Sequence, residues 1–313
     1  IFDAVNSKYT DVFNKTDTIS LTASSIAYIV GELQQYCLIE SERDVIADAF
    51  EVFISPSLRG GQGQFFTPRN VVKLLVSLVN PTRKDKLIDP ACGSGGFLIE
   101  SLRHVWVQVK QEGEELGWPD LEIFADQQEV ASKNFRGIDK ESFLSKTTKA
   151  YMAILGDGRG GIFCENSLEA PSTWGADTQN SIQLEAFDVI LTNPPYGSKL
   201  KIDDRTILSH YDLGFQWKAK NGVYFKSTKQ LDFQTPQVLF IERCLDLLKP
   251  GGRLGIVAPE SMFCNPSHKY IMNYVESRAQ IEAVISMPEN VVACSFDRRK
   301  EGVDFRVELL GNH

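Results

Sequence analysis

The chain has 313 residues, of which 42% are hydrophobic and 24% charged, with a formal net charge of −8. That composition fits a folded α/β chain of one large domain or two. It excludes a low-complexity protein, and no apolar run reaches membrane-spanning length. The acidic balance argues against a protein that grips nucleic acid over its whole surface, although global charge leaves room for a local basic patch.

Six cysteines (Cys37, Cys92, Cys164, Cys244, Cys264, Cys294) are scattered without a Cys-x-x-Cys pair. In a chain of this length they read as reduced packing residues, not a disulfide framework or a zinc site, and no metal is expected. The first residues, Ile1-Phe2-Asp3-Ala4, show no signal-peptide pattern and no initiating Met, which leaves a longer parent chain open.

Residues 1–60 read as a helical segment, with a helical period from Ser20 to Leu38 and a second helix over Asp44–Phe53 behind the cap signal Ser41-Glu42-Arg43. Arg59-Gly60-Gly61-Gln62-Gly63 is a break, so residues 61–313 are expected to form the second unit. It opens on Gln64-Phe65-Phe66-Thr67-Pro68-Arg69. There Thr67 is placed to cap, and Pro68 to start, a helix over Val71–Val79. A helix N-terminus behind two aromatics suits a carboxylate.

Lys86-Leu87-Ile88-Asp89 predicts a short strand, followed by the turn Pro90-Ala91-Cys92-Gly93-Ser94-Gly95 and an amphipathic helix through Phe97, Leu98, Leu102 and Val105. This is the first β–loop–α unit of a Rossmann-like sheet. The loop lacks both Gly-x-Gly-x-x-Gly and Gly-Lys-Ser/Thr, so neither a dinucleotide nor ATP is the natural ligand. An acidic residue ahead of it suits a ligand carrying an ammonium. Residues 104–132 read as polar helix with a loop at Gly117-Trp118-Pro119.

Asn134–Asp139 predicts the second strand. Asp139 at its end stands where a ribose is held by its hydroxyls, or is simply a turn residue. A helix over Ser142–Leu155 follows, then a third strand and loop in Ile162–Leu168. Asn166 in that loop could bond an adenine edge, with Ser167 beside it.

Phe187-Asp188-Val189-Ile190-Leu191-Thr192 predicts a buried parallel strand. It ends in Asn193-Pro194-Pro195-Tyr196. This tetrad combines an amide, two residues without N–H donors and a flat ring, at the strand edge where open α/β sheets bind ligands. Such a set suits a planar group bearing an exocyclic amine.

Residues 198–232 show no clean period and read as a loop. Lys199, Lys201, Lys218 and Lys220 are interleaved there with Phe215, Trp217, Tyr224 and Phe225. The pattern suits either nucleic-acid contact or a solvated loop. Thr235-Pro236 starts a helix that Lys249-Pro250-Gly251-Gly252 stops. Strands over Arg253–Ala258 and Ile281–Met287 flank a helix over Lys269–Ser277, and Val303–Leu309 is a candidate terminal strand.

Taken together, Asp89–Gly95 and the later Asn193-Pro194-Pro195-Tyr196 resemble an amino-group DNA methyltransferase that uses S-adenosylmethionine. With Gln64–Arg69 ahead of them, the resemblance is to the modification subunit of type I restriction–modification systems, which methylate adenine N6. It covers about residues 40–290.

The resemblance implies a Rossmann-like methyltransferase sheet behind an N-terminal helical segment. It also implies double-stranded DNA as substrate, separate specificity and restriction subunits, and the cytoplasm of a prokaryote. By resemblance, Gln64, Phe65, Phe66, Thr67 and Pro68 hold the methionine end of the cofactor. Asp89, Ala91, Cys92, Gly93, Ser94 and Gly95 lie along its ammonium and backbone. Asp139 takes the ribose, and Asn166 with Ser167 the adenine.

Asn193 and the Pro194 carbonyl would accept the two amine hydrogens of a flipped adenine, with Pro195 stiffening the turn and Tyr196 stacking on the base. A second aromatic wall is implied near Pro288–Phe296, where Val292 stands in place of the expected Phe. The tetrad alone also suits methylation of a protein glutamine amide or of ribosomal-RNA guanine N2. A scaffold without activity is the reading from a different class.

Overall fold

The computed structural model describes residues 2–10, 12–13, 17–36, 67–155, 158–197, 199–287 and 305–312. In chain order its strands are β1 (Leu87–Asp89), β2 (Phe135–Asp139), β3 (Ile162–Cys164), β4 (Phe187–Thr192), β5 (Phe215–Lys220), β6 (Val223–Gln230), β7 (Leu248–Pro259), β8 (Ala279–Met287) and β9 (Phe305–Asn312). Seven of them form one sheet in the order β3-β2-β1-β4-β7-β9-β8. The run from β3 to β7 is parallel, and β9 lies antiparallel between β7 and β8. Successive connections run outward from β1 to one side and then return to β4 on the other. The chain therefore switches direction between β1 and β4, and a crevice opens at their carboxyl ends, as in doubly wound folds.

The apolar strand runs make sense because both faces of the sheet are covered. Leu87, Val189, Leu191 and Val257 join one buried cluster, with the helices Arg69–Val79, Gly96–Glu115 and Ser142–Leu155. Their neighbours in sequence, Ile88, Ile190, Ile256 and Ala258, join the cluster on the opposite face, with the helices Pro236–Leu247 and Lys269–Glu276. The period-two alternation of side chains thus divides each strand between two apolar layers. Leu87, Ile88, Val189 and Ile190 are all fully buried.

Several expectations about elements need correction. The helix of residues 20–38 is confined to Ala23–Leu33, where the Thr22 hydroxyl accepts from Ser25 N–H. The helix from Pro236 ends at Leu247 as expected, but the strand expected to start at Arg253 begins at Leu248; a register shift against β4 takes up the extra residues.

Residues 199–232 are not a structureless loop. They contain the helix Arg205–Ser209, whose Asp204 cap accepts from Thr206 and Ile207 N–H, and the antiparallel hairpin β5–β6. The turn Asn221-Gly222, with φ of 53° and 81°, closes it. Asn-Gly between strands is a strong hairpin signal. The lysines on either side masked it, because they break the apolar alternation. The helix over Asp44–Phe53 and the break at residues 59–63 lie outside the described residues.

Candidate active site

Both halves of the candidate site hang from the carboxyl edge of the sheet, at the switch between β1 and β4. On the β1 side, Asp89 is 2% exposed and accepts from the Ala91 N–H at 3.0 Å. The turn that follows needs glycine at two places. Gly93 has φ +53° with open space where a Cβ would stand. Gly95 has φ +89°, and a Cβ there would lie 2.9 Å from the Thr148 Cγ2. The first leaves the backbone accessible to a ligand, and the second lets the turn sit against the neighbouring helix. Thr148, buried on that helix, donates to the Gly93 carbonyl at 2.8 Å. Thr148 gave no signal in the sequence, since it lies far from the motif it supports.

Asp139, at the end of β2, is drawn into the same turn. Its Oδ2 accepts from Gly93 N–H at 3.0 Å and its Oδ1 from Glu141 N–H at 2.8 Å. Asp89 and Asp139 therefore flank the glycine turn. Burial pushes the Asp89 carboxyl up to about 7, opposed by hydrogen bonds from Thr192 and Ala91 and reinforced by Asp139. Burial likewise raises Asp139, against the two N–H groups it accepts from. A buried and a half-buried carboxyl on either side of the turn, the second with Lys140 beside it, favour a cation there, as an ammonium or sulfonium would provide. Cys92 lies between them and is 4% exposed. Burial and the two aspartates push its thiol well up, so it packs and is no nucleophile.

On the β4 side, the Asn193 Nδ2 donates to the Thr67 Oγ1 at 2.8 Å, across from the start of the helix Arg69–Val79. This corrects the role read for Thr67. The cap position is occupied by Pro68 with no side-chain capping bond, and the Thr67 hydroxyl is used on Asn193 instead. The consequence is directional: with its nitrogen held by Thr67, the amide presents its oxygen. That oxygen, Oδ1, is buried and has no hydrogen-bond partner among the described residues. A buried acceptor left unpaired costs about 1–3 kcal/mol, so its persistence here marks a ligand position.

Pro194 is buried and Pro195 exposed. Tyr196, read as the residue that stacks on the base, is only 5% exposed and belongs to the same core cluster as Leu191, Val257 and Met287.

Asn166 and Ser167 follow β3. The Asn166 amide is engaged locally, donating to Glu169 and accepting from Leu168 N–H, so its reading as an adenine contact is not matched by a free amide. Ser167 is buried and donates to the Pro90 carbonyl, bracing the turn after β1. Ala91 packs against the small apolar cluster of Leu168, Leu208 and Tyr211.

Of the lysines, Lys201 lies 4.1 Å from the centroid of the Phe233 ring near the root of the β5–β6 excursion, whereas Lys218 and Lys220 are exposed on β5 itself. Gln64, Phe65, Phe66 and the aromatic wall expected near Val292 lie outside the described residues.

Comparison with known proteins identifies the family. The chain is 25% identical over 297 residues to the type I restriction enzyme StySPI methylase subunit of Salmonella potsdam, covering 93% of this chain and 48% of the relative. It is 26% identical to the EcoKI methylase subunit of Escherichia coli, covering 80% and 42%. The chain thus spans about half the length of these curated relatives. A crystal structure of a type I restriction–modification methyltransferase subunit from Streptococcus thermophilus shares the fold, with a TM-score of 0.63 at 19% identity over 93% of this chain and 54% of that one. The model of the N-6 DNA Methylase family matches residues 41–295, and with both halves of the crevice inside that span, the chain belongs to the N-6 DNA methylase family.

Proposed function

We propose that this chain is the methylating part of a type I modification subunit. In this reading it moves a methyl group from S-adenosylmethionine to adenine N6 of double-stranded DNA, working in a prokaryotic cytoplasm with separate specificity and restriction subunits. The observation that carries the reading is the buried, unpartnered Oδ1 of Asn193, held in place by Thr67. An exocyclic amine is a weak nucleophile because its lone pair is shared with the ring. An acceptor at Oδ1, with the Pro194 carbonyl as a second, bonds the amine hydrogens and localises the lone pair on nitrogen. Such stabilisation is aimed at the transition state.

The residues of the crevice fit the cofactor. Asp89 and Asp139 favour a cationic ligand, and the open space over Gly93 lets a ligand lie along the backbone. When bound, S-adenosylmethionine supplies an already activated methyl group. The task of the protein is then to align two reactants. Asp89 orients the ammonium end, Asp139 the ribose, and Asn193 the amine. The helical segment of residues 1–60 and the methylating unit of residues 61–313 meet near residue 60 in this reading. The family match favours DNA over a glutamine amide or an RNA guanine.

The test uses the full-length protein: calorimetry for S-adenosylmethionine, then labelled methyl transfer to duplex DNA with and without a specificity subunit. Transfer to adenine N6 that depends on Asn193 supports the reading. Cofactor binding without transfer to DNA under either condition overturns it.

A further inference from the structure

The excursion after the tetrad carries a surface that the crevice does not use. Between Leu213 and Leu231 the chain holds four lysines, Lys218, Lys220, Lys226 and Lys229, and no acidic residue. The register of the hairpin sorts them. Residues directly opposite one another share a face. Trp217 pairs with Lys226 and Ala219 with Tyr224, whereas Lys218 pairs with Phe225 and Lys220 with Val223.

The first face is anchored. The Trp217 ring stacks on Tyr270 at 6.2 Å and meets Tyr274 edge-on at 5.8 Å, and its Nε1 donates to the Asp212 carbonyl. Lys226 on that face is paired with Asp212. The second face is presented outward. Lys218 and Lys220 are exposed and have no ion-pair partner among the described residues, and Phe225 and Val223 are 44% and 63% exposed. Tyr270 lies in the first turn of the helix Lys269–Glu276, reached from the carboxyl end of β7 through the short helix Ser261–Cys264, so the ribbon is rooted on the same edge of the sheet as Asn193.

We infer that this outward face is a pre-formed DNA-backbone contact, which lays Lys218 and Lys220 against phosphates beside the target base. The inference rests on the reading of the chain as a DNA methylase. The partner is chosen by charge complementarity: a compact positive ribbon in a chain of net charge −8. Lysines are point charges without the bidentate geometry that reads base edges, so the contact positions the duplex and carries no sequence information.

The experiment compares the full-length protein, assembled with the subunits it works with, as wild type and as the double variant Lys218→Ala/Lys220→Ala. The charge-matched control is Lys110→Ala/Lys133→Ala. Both control lysines lie toward the C-terminal ends of their helices, the first of which runs away from the carboxyl edge after β1 while the second leads into the amino end of β2. Duplex affinity is measured over a salt series, with cofactor affinity as the check on folding. The hairpin variant should keep cofactor affinity and lose about tenfold in duplex affinity, equally for specific and unrelated sequences. Its log–log salt slope should be shallower by about 2 than that of the control.

If the wild type methylates DNA and the hairpin variant matches the control in affinity and slope, the ribbon contact is overturned while the methylase reading stands. A variant that keeps DNA affinity but no longer assembles with its partner subunits also overturns it, in favour of an acidic protein surface. A wild type that binds cofactor but neither binds nor methylates duplex overturns both.

Discussion

At the scale of single residues, the amide of Asn193 and the carboxyl of Asp89 carry the sharpest expectations. Asn193→Ala should abolish methyl transfer and leave cofactor affinity within a few-fold. Thr67→Val removes only the hydroxyl that holds the Asn193 nitrogen, and should lower kcat by about 10–100-fold with little change in KM for the cofactor, less than losing an oxyanion donor outright. Steady-state kinetics on the two variants separate these effects; an unchanged kcat in Thr67→Val would show that Asn193 orients itself without help.

Asp89 has a folded pKa of about 7 against an ordinary value of 3.8. A carboxyl raised in this way contributes its full stability below the unfolded value, and that contribution is lost as pH rises through about 7. Glu242, also raised by burial to about 7, acts in the same direction. The free protein should therefore melt at lower temperature as pH climbs from about 5 to 8. A cationic ligand favours the charged Asp89, so cofactor affinity should rise over the same interval. Asp89→Asn should flatten that rise, and affinity that falls with pH would contradict the assignment.

Both groups were legible in the sequence as residues at strand ends. What escaped was their surroundings. Thr148 and the second use of Thr67 are long-range contacts with no local pattern, and the burial of Tyr196 depends on how Met287 and Val257 pack against it.

At the scale of elements, the turn between β1 and the helix Gly96–Glu115 is the most constrained. Gly95→Ala meets both a left-handed backbone and the Thr148 methyl, and should cost about 1–2 kcal/mol from the backbone alone. The expected readouts are a lower Tm and weaker cofactor binding together; a variant as stable as wild type would mean that the turn relaxes freely. The parallel strands were readable because they are short, apolar and bounded by turn residues. The hairpin was not, because its outward face is basic and its inward face is held by aromatics from a distant helix, so neither strand alternates apolar with polar. The closing strand β9 falls within three residues of its expected bounds, Val303–Leu309, but its place between β7 and β8 is a matter of pairing that no local run reveals.

For the molecule as a whole, charge decides the balance. An overall −8 opposes DNA at long range, while the β5–β6 ribbon attracts it locally. Without partner subunits the protein should bind duplex weakly and with little sequence preference, as measured by titration at physiological salt. Tight, sequence-selective binding by the protein alone would remove the need for a specificity subunit. Its relatives are about twice its matched length.

The root of the β5–β6 excursion has one more consequence. Ile202 and Gln234 pair through two backbone hydrogen bonds, 2.8 and 2.9 Å long, where the chain leaves and rejoins the body. The ends of the excursion are thereby pinned together independently of what lies between them. The entropy of closing that loop grows only slowly with its length. Tyr211 and Leu213, just inside this neck, are buried and bonded to Arg243 and Glu242 of the helix Pro236–Leu247. It is therefore the hairpin beyond Gly214 and Leu231 that could vary in length or charge without moving that helix, a natural place for the protein to change how it holds its substrate while keeping the chemistry that acts on it.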